Sequence, residues 1–151
     1  MKSLIVAFAI LSIPVMAGAD GAARFIVSPR SGDRAPLPFS EGVVVGDTLY
    51  IAGHIGIDPK TDLAASDPKT ETRLVMDAVK HTVESAGMRM SDVTSITVYC
   101  TDLALYDTFN AEYRTYFQDH FPARAFIGVA RLLRGAHFEV QGIAIKTTAA
   151  K

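Results

Sequence analysis

Cysteine is nearly absent: Cys100 stands alone among 151 residues, which excludes an internal disulfide. Tryptophan is missing altogether. Neither sign of charge dominates, with 15 Lys and Arg against 16 Asp and Glu and no long basic run, so a nucleic-acid-binding surface of the usual basic kind is not expected. The four histidines, His54, His81, His120 and His137, show no i,i+3 or i,i+4 pairing with one another or with a cysteine. A metal site would need ligands gathered by the fold alone, and none is expected. Phosphate-loop, nucleophile-elbow and zincin motifs are all lacking.

One long apolar run is present, at the start. Met1-Lys2 is positive, Leu4 to Val15 is apolar apart from Ser12 and Pro14, and Ala17-Gly18-Ala19 supplies small residues. That is the shape of a secretory signal peptide, too short to span a bilayer. The expected organisation is a signal peptide over 1–19, cleaved near Ala19, and one domain over 20–151. The mature protein is expected to be soluble, in a periplasmic or extracellular compartment, with no membrane attachment after cleavage. Its lone thiol is best buried in an oxidising compartment.

Taken in order, Arg24 to Val27 reads as a first strand and Arg30 to Ser40, with Gly32, Pro36 and Pro38, as loop. Gly42–Val45 and Thr48–Ala52 flank Gly46-Asp47 and predict a hairpin. The following Gly53–Pro59 stretch is expected to leave the sheet. Asp67-Pro68 starts a helix by a capping side chain and a proline at the first turn. Leu74, Val75, Ala78, Val79, Thr82, Val83 and Ala86 share one face of it, and Gly87 ends it. Val93 to Cys100 is a strand dense enough in apolar residues to suggest burial on both faces. A second amphipathic helix spans Leu103 to Phe117, and two strands follow, from Ala123 and over Phe138–Thr147. The order β-ββ-α-β-α-ββ predicts an α/β (α+β) fold with two helices layered on one face of a mixed sheet.

Two charged residues stand out in the last two strands. Arg124 follows Pro122 at the mouth of an apolar strand, and arginine offers a planar, permanently charged fork that matches a carboxylate. Glu139 alternates with Phe138 and Val140 and shares a side with Ile143 and Ile145, a partly apolar setting that suits a carboxylate to proton transfer. Asn110 falls on the apolar stripe of the second helix, between Tyr106 and Tyr113. Cys100 ends a strand without an activating neighbour and reads as an inert thiol.

The stretch Phe121–Ala144, with Pro122-Ala123-Arg124 and Phe138-Glu139-Val140-Gln141-Gly142-Ile143-Ala144, resembles the RidA (YjgF, reactive intermediate deaminase, endoribonuclease L-PSP) family. Pro38-Phe39-Ser40-Glu41-Gly42, Ile51-Ala52-Gly53-His54-Ile55-Gly56 and Phe109-Asn110-Ala111-Glu112-Tyr113 match its other motifs in order. The resemblance implies a chorismate-mutase-like homotrimer with a cleft at each subunit interface. It also implies hydrolysis of 2-imino and enamine acids to 2-keto acids and ammonia, as in 2-iminobutanoate/2-iminopropanoate deaminases, without metal or organic cofactor. By position, Arg124 would bind the substrate carboxylate and Glu139 would orient water. Asn110 would line the cleft, the backbone of Gly53 would meet the ligand, and Phe126 would contribute its carbonyl. Phe39 and Ala52 stand where the family usually has tyrosine and serine, Phe126 where it has cysteine, and Gln141 where it has a second glutamate.

Two other functions are consistent with these residues. Absence of the family's usual tyrosine and serine hydroxyls, at Phe39 and Ala52, favours a non-catalytic trimer that binds small carboxylates or acts as a chaperone-like holdase. Ribonuclease activity is the weaker alternative, because phosphate contacts need cations. The partners expected are a small 2-imino acid and further copies of the chain, and not nucleic acid.

Overall fold

The computed structural model describes residues 22–27 and 37–147. The expected signal peptide lies outside the described residues. Three antiparallel strands come first: β1 (Arg24–Ile26), β2 (Gly42–Val45) and β3 (Thr48–Ile55). The β2–β3 hairpin turns at Gly46-Asp47, and Gly46 has φ +57°, a conformation that glycine adopts without a Cβ penalty. A small two-stranded ladder, β4 (Ile57–Asp58) with β5 (Leu63–Ala64), precedes the first helix.

Helix α1 (Pro68–Ser85) starts where the sequence predicts. The Asp67 side chain accepts the Thr70 backbone N–H at 2.9 Å, Pro68 occupies the first turn, and Gly87 beyond the end has φ +75°. Strand β6 (Val93–Cys100), helix α2 (Tyr106–Tyr113), strand β7 (Ala123–Gly128) and strand β8 (Phe138–Ile145) complete the order. The main sheet runs β1-β2-β3-β8-β6-β7, antiparallel except for the parallel β6–β7 pair. It is a mixed sheet with two helices on one face, as the alternation of elements predicts.

The core lies between that face and the helices. Val75, Met76, Val79 and Val83 of α1 are fully buried against Leu49, Val98, Phe138 and Val140 of the sheet. Each such side chain contributes about 1.5–3 kcal/mol by leaving water. The opposite face is open, and it carries Tyr50 (52% exposed), Val45, Ile127 and Ile145.

Four expectations need correction. Strand β6 is buried on one face only: Ile96, Val98 and Cys100 are covered by helices, whereas Thr97 and Tyr99 are half-buried on the open face. Strand β3 does not end at Ala52; it continues to Ile55 through a β-bulge between Ile51 and His54. The last strand ends at Ile145 rather than Thr147. The second helix is α-helical only over Tyr106–Tyr113, with single 3₁₀ turns at Leu103–Leu105 and Arg114–Tyr116. In the first turn, the Asp102 side chain takes the Ala104 backbone N–H at 2.9 Å.

Candidate functional site

The predicted site residues fall into two groups, and the sheet separates them. Register settles their sides. Arg124 and Phe126 of β7 pair with Ile96 and Val98 of β6, so they share the helix-covered face. Glu139 of β8 pairs with Tyr99 of β6 and Ile55 of β3, so it lies on the open face.

On the helix side, the Arg124 guanidinium is held from several directions. Nη1 donates to Asn110 Oδ1 at 2.8 Å, and Nη2 donates to the Tyr106 hydroxyl at 3.3 Å. Its central carbon stands 4.7 Å from the centroid of the Tyr113 ring, 5.6 Å from Tyr106 and 5.7 Å from Phe126. Aromatic faces attract a cation through their quadrupole, so ring stacking and two donated bonds fix the plane of the fork. Helix spacing explains the arrangement, because Tyr106, Asn110 and Tyr113 recur at i, i+4 and i+7 on one side of α2. Among the described residues no carboxylate pairs with Arg124. The charge instead lines a cleft of about 310 Å³ with Asn110, Tyr113, Arg114, Phe121 and Pro122. Tyr113 is 3% exposed, and burial pushes its phenol up to about 12, so it stays protonated and neutral beside the arginine.

Phe126 stands edge-on to Tyr106, with ring centroids 5.0 Å apart, and 5.5 Å from Phe109. Its side chain is therefore part of the packing beneath Arg124.

The open-face group centres on the bulge in β3. There the register runs from Ile51 opposite Gly142 to His54 opposite Val140, so Ala52 and Gly53 together span the single position of Gln141. A Cβ at Gly53 would stand 2.1 Å from Glu139 Oε1, so the carboxylate occupies the space a side chain would need. Only glycine permits that approach. Beside it, the Ala52 N–H donates to the Glu41 carbonyl at 2.9 Å, which ties the Phe39-Ser40-Glu41 segment to the bulge. Phe39 is 52% exposed. Gln141 Nε2 donates to the Tyr99 hydroxyl at 2.8 Å on the same face.

The structure thus joins Arg124 to Asn110 and Phe126, joins Glu139 to Gly53 with Ala52 beside it, and keeps the two sets apart within one chain. Three residues near them escape the sequence reading. Tyr106 and Tyr113 read there as packing positions, yet one accepts a hydrogen bond from Arg124 and the other floors its guanidinium. Arg114, four residues beyond Asn110, shares the cleft with Arg124; that spacing is the signal that could have found it.

Two polar clusters lie elsewhere. Glu71 of α1 is fully buried and accepts the His137 and Phe138 backbone N–H groups on Oε1 at 2.7 and 2.8 Å, with His137 Nδ1 2.6 Å from Oε2. It fastens the start of β8 to the helix. His54 Nε2 lies 3.1 Å from Thr82 Oγ1, and burial lowers the His54 imidazole below its ordinary value against the opposing pull of Glu41. Cys100 is buried, and burial raises its thiol, as expected of an inert cysteine.

Comparison with known proteins gives a consistent result. The family model described as Endoribonuclease L-PSP matches residues 33–146. A RutC family protein of Sulfurisphaera tokodaii is 40% identical over 118 residues, 76% of this chain and 94% of the relative. A 2-iminobutanoate/2-iminopropanoate deaminase of Salmonella typhimurium is 37% identical over 123 residues, 80% of this chain and 96% of the relative. Among solved structures, E. coli TdcF with bound serine superposes with a TM-score of 0.73 at 30% identity, covering 82% of this chain and 100% of that one.

Proposed function

Since this chain belongs to the RidA/YjgF (endoribonuclease L-PSP) family, we propose that it is a deaminase that hydrolyses small 2-imino and enamine acids to 2-keto acids and ammonia. One observation carries the reading: a guanidinium without a carboxylate partner among the described residues, held in orientation by Asn110, Tyr106 and Tyr113 at the edge of a cleft. Such a fork is preorganised for a substrate carboxylate, because little side-chain freedom is lost on binding. A deaminase at 37% identity and a homologous structure with bound serine, an amino acid, support a ligand of that class.

In the reaction, Arg124 clamps the carboxylate and so orients C2 of the imine. A water held by Glu139, with the Phe126 carbonyl as a second acceptor, adds its oxygen to C2. The carbon–nitrogen bond then breaks, nitrogen leaves as ammonia with both water protons, and the 2-keto acid remains. Positioning is the main contribution, since an aligned water attacks an imine readily. No group beyond this chain's residues and water is needed to balance the step.

Arg124 and Glu139 act on one small molecule only if a second copy brings its open face to the first copy's cleft. The apolar open face, with Tyr50, Val45, Ile127 and Ile145, supports that assembly, and β7 is an edge strand that leaves the Arg124 side approachable. We take the assembly to be a homotrimer with one shared cleft per interface. Export, read from residues 1–19, would place the activity in a periplasm-like compartment. The chain's 15 cations against 16 anions favour imine hydrolysis over the ribonuclease named in the family description. Exposed Phe39, without a hydroxyl, keeps one rival reading open: a trimer that binds carboxylates without turning them over.

Release of 2-keto acid from imines generated in situ, with Arg124→Ala as control, tests the proposal. Arg124→Ala should lower kcat/KM at least about a hundredfold, in line with loss of a charge-assisted clamp, while the melting temperature moves by only a few degrees. Turnover indistinguishable from spontaneous hydrolysis would move the reading to the binding trimer.

A further inference from the structure

The cleft beside Arg124 contains a second guanidinium. Arg114 follows Asn110 by four residues and Tyr113 by one, so the end of α2 delivers all three side chains to one wall. Phe121 and Pro122, in the approach to β7, form the other wall. The two arginines lie on neighbouring rings: Arg124 stands 4.7 Å from the Tyr113 centroid, Arg114 stands 5.9 Å from the Phe121 centroid, and those rings stack at 6.2 Å with 20° between their planes. Among the described residues neither guanidinium is paired with a carboxylate, although both line a single cleft of about 310 Å³. The lysines and the arginine of α1 are by contrast paired: Lys69 and Arg73 with Glu112, and Lys80 with Glu84.

Two unneutralised cations in one small cleft repel each other, and an anion with two negative groups relieves the repulsion. A ligand with one carboxylate satisfies one of them. We propose that Arg114 forms a second anion subsite beside Arg124, so that the preferred substrates are 2-imino acids carrying a second acidic group, the imines of acidic amino acids. The inference rests on the reading of Arg124 as the carboxylate clamp and names the substrate class of that same site. Tyr113 and Phe121 supply the apolar floor along which a short methylene chain lies between the two acidic groups.

The test uses the full chain and two product-like probes, 2-oxoglutarate and 2-oxobutanoate, in calorimetric titrations at low salt. The wild type should bind 2-oxoglutarate roughly ten- to a hundredfold more tightly, the effect expected of one additional hydrogen bond between charged groups. Arg114→Ala should collapse the ratio of the two affinities toward one, and Arg114→Lys should restore part of it. Equal affinities in the wild type, or a ratio that Arg114→Ala leaves intact, would overturn the inference. Its failure is separable from failure of the deaminase reading. Arg124-dependent turnover of 2-aminobutyrate imine without preference for glutamate imine would leave the deaminase standing and remove the dianion subsite. A dianion preference in binding that disappears in Arg114→Ala, with no imine hydrolysed, would keep the subsite and remove the deaminase.

Discussion

Arg124 and Glu139 project from opposite faces of one sheet: Arg124 pairs with buried Ile96 on the helix side, and Glu139 pairs with half-buried Tyr99 on the open side. A strand alternates its side chains with a period of two, so neither residue can change face without a slip in register. The two groups proposed to act on one substrate therefore meet only between copies of the chain. The catalytic question and the assembly question become one question.

Gly53 gives the first prediction. A Cβ there would stand 2.1 Å from Glu139 Oε1, and the carboxylate, at the end of a flexible side chain, would move aside. Gly53→Ala should lower kcat by about a hundredfold through misplacement of the water-holding group, with a much smaller effect on KM. The melting temperature should fall by no more than a few degrees. A steady-state comparison beside a thermal melt checks both halves.

Glu71 predicts the opposite pattern, a stability effect without a direct role in chemistry. Its buried carboxylate satisfies two backbone N–H groups and meets His137 Nδ1. Glu71→Ala leaves those donors unpaired in the core and should cost about 3–5 kcal/mol. Urea unfolding should show a large drop in midpoint, with Glu71→Gln intermediate because an amide oxygen in place of Oε1 still accepts both backbone N–H groups while the charged oxygen facing His137 Nδ1 is lost.

Much of this architecture is legible in the sequence, for local reasons. Gly46-Asp47 between β-rich runs, and Asp67-Pro68 before a stripe of period 3.6, are signals that tertiary context did not need to alter. The misses have tertiary causes. The bulge at Ala52-Gly53 depends on β8 lying alongside, so β3 looks finished too early. Strand β6 is apolar enough for two covered faces, yet one chain covers only one of them. Glu71 sits on a helix between polar neighbours, and only the return of β8 over α1 makes it a core residue. Arg124, Asn110 and Glu139 stand out in the sequence as candidates; their separation by the sheet does not, because it depends on pairing between strands distant in sequence.

His54 makes the stability of the fold sensitive to pH. Burial holds its imidazole below the ordinary value, so the unfolded chain takes up the proton first. The stability this contributes is fully present above the unfolded value of about 6.5 and is lost as pH falls toward and through the lower folded value. Urea midpoints should therefore fall between pH 7.5 and 5.5, and His54→Gln, which cannot titrate, should flatten that dependence. An identical slope in the variant would assign the effect to other groups.

The most direct measurement mixes two inactive proteins. Arg124→Ala keeps Glu139 and Glu139→Gln keeps Arg124, so each alone should release 2-keto acid at the spontaneous rate. Unfolded together and refolded, they should form mixed trimers in which about one quarter of the interfaces pair an intact arginine with an intact glutamate, by random assembly in a cyclic trimer. Recovery of activity near that fraction would establish that one copy supplies the clamp and another the water-holding carboxylate. A mixed sample as inactive as its two components, when the wild type refolds with full activity, would contradict the shared site.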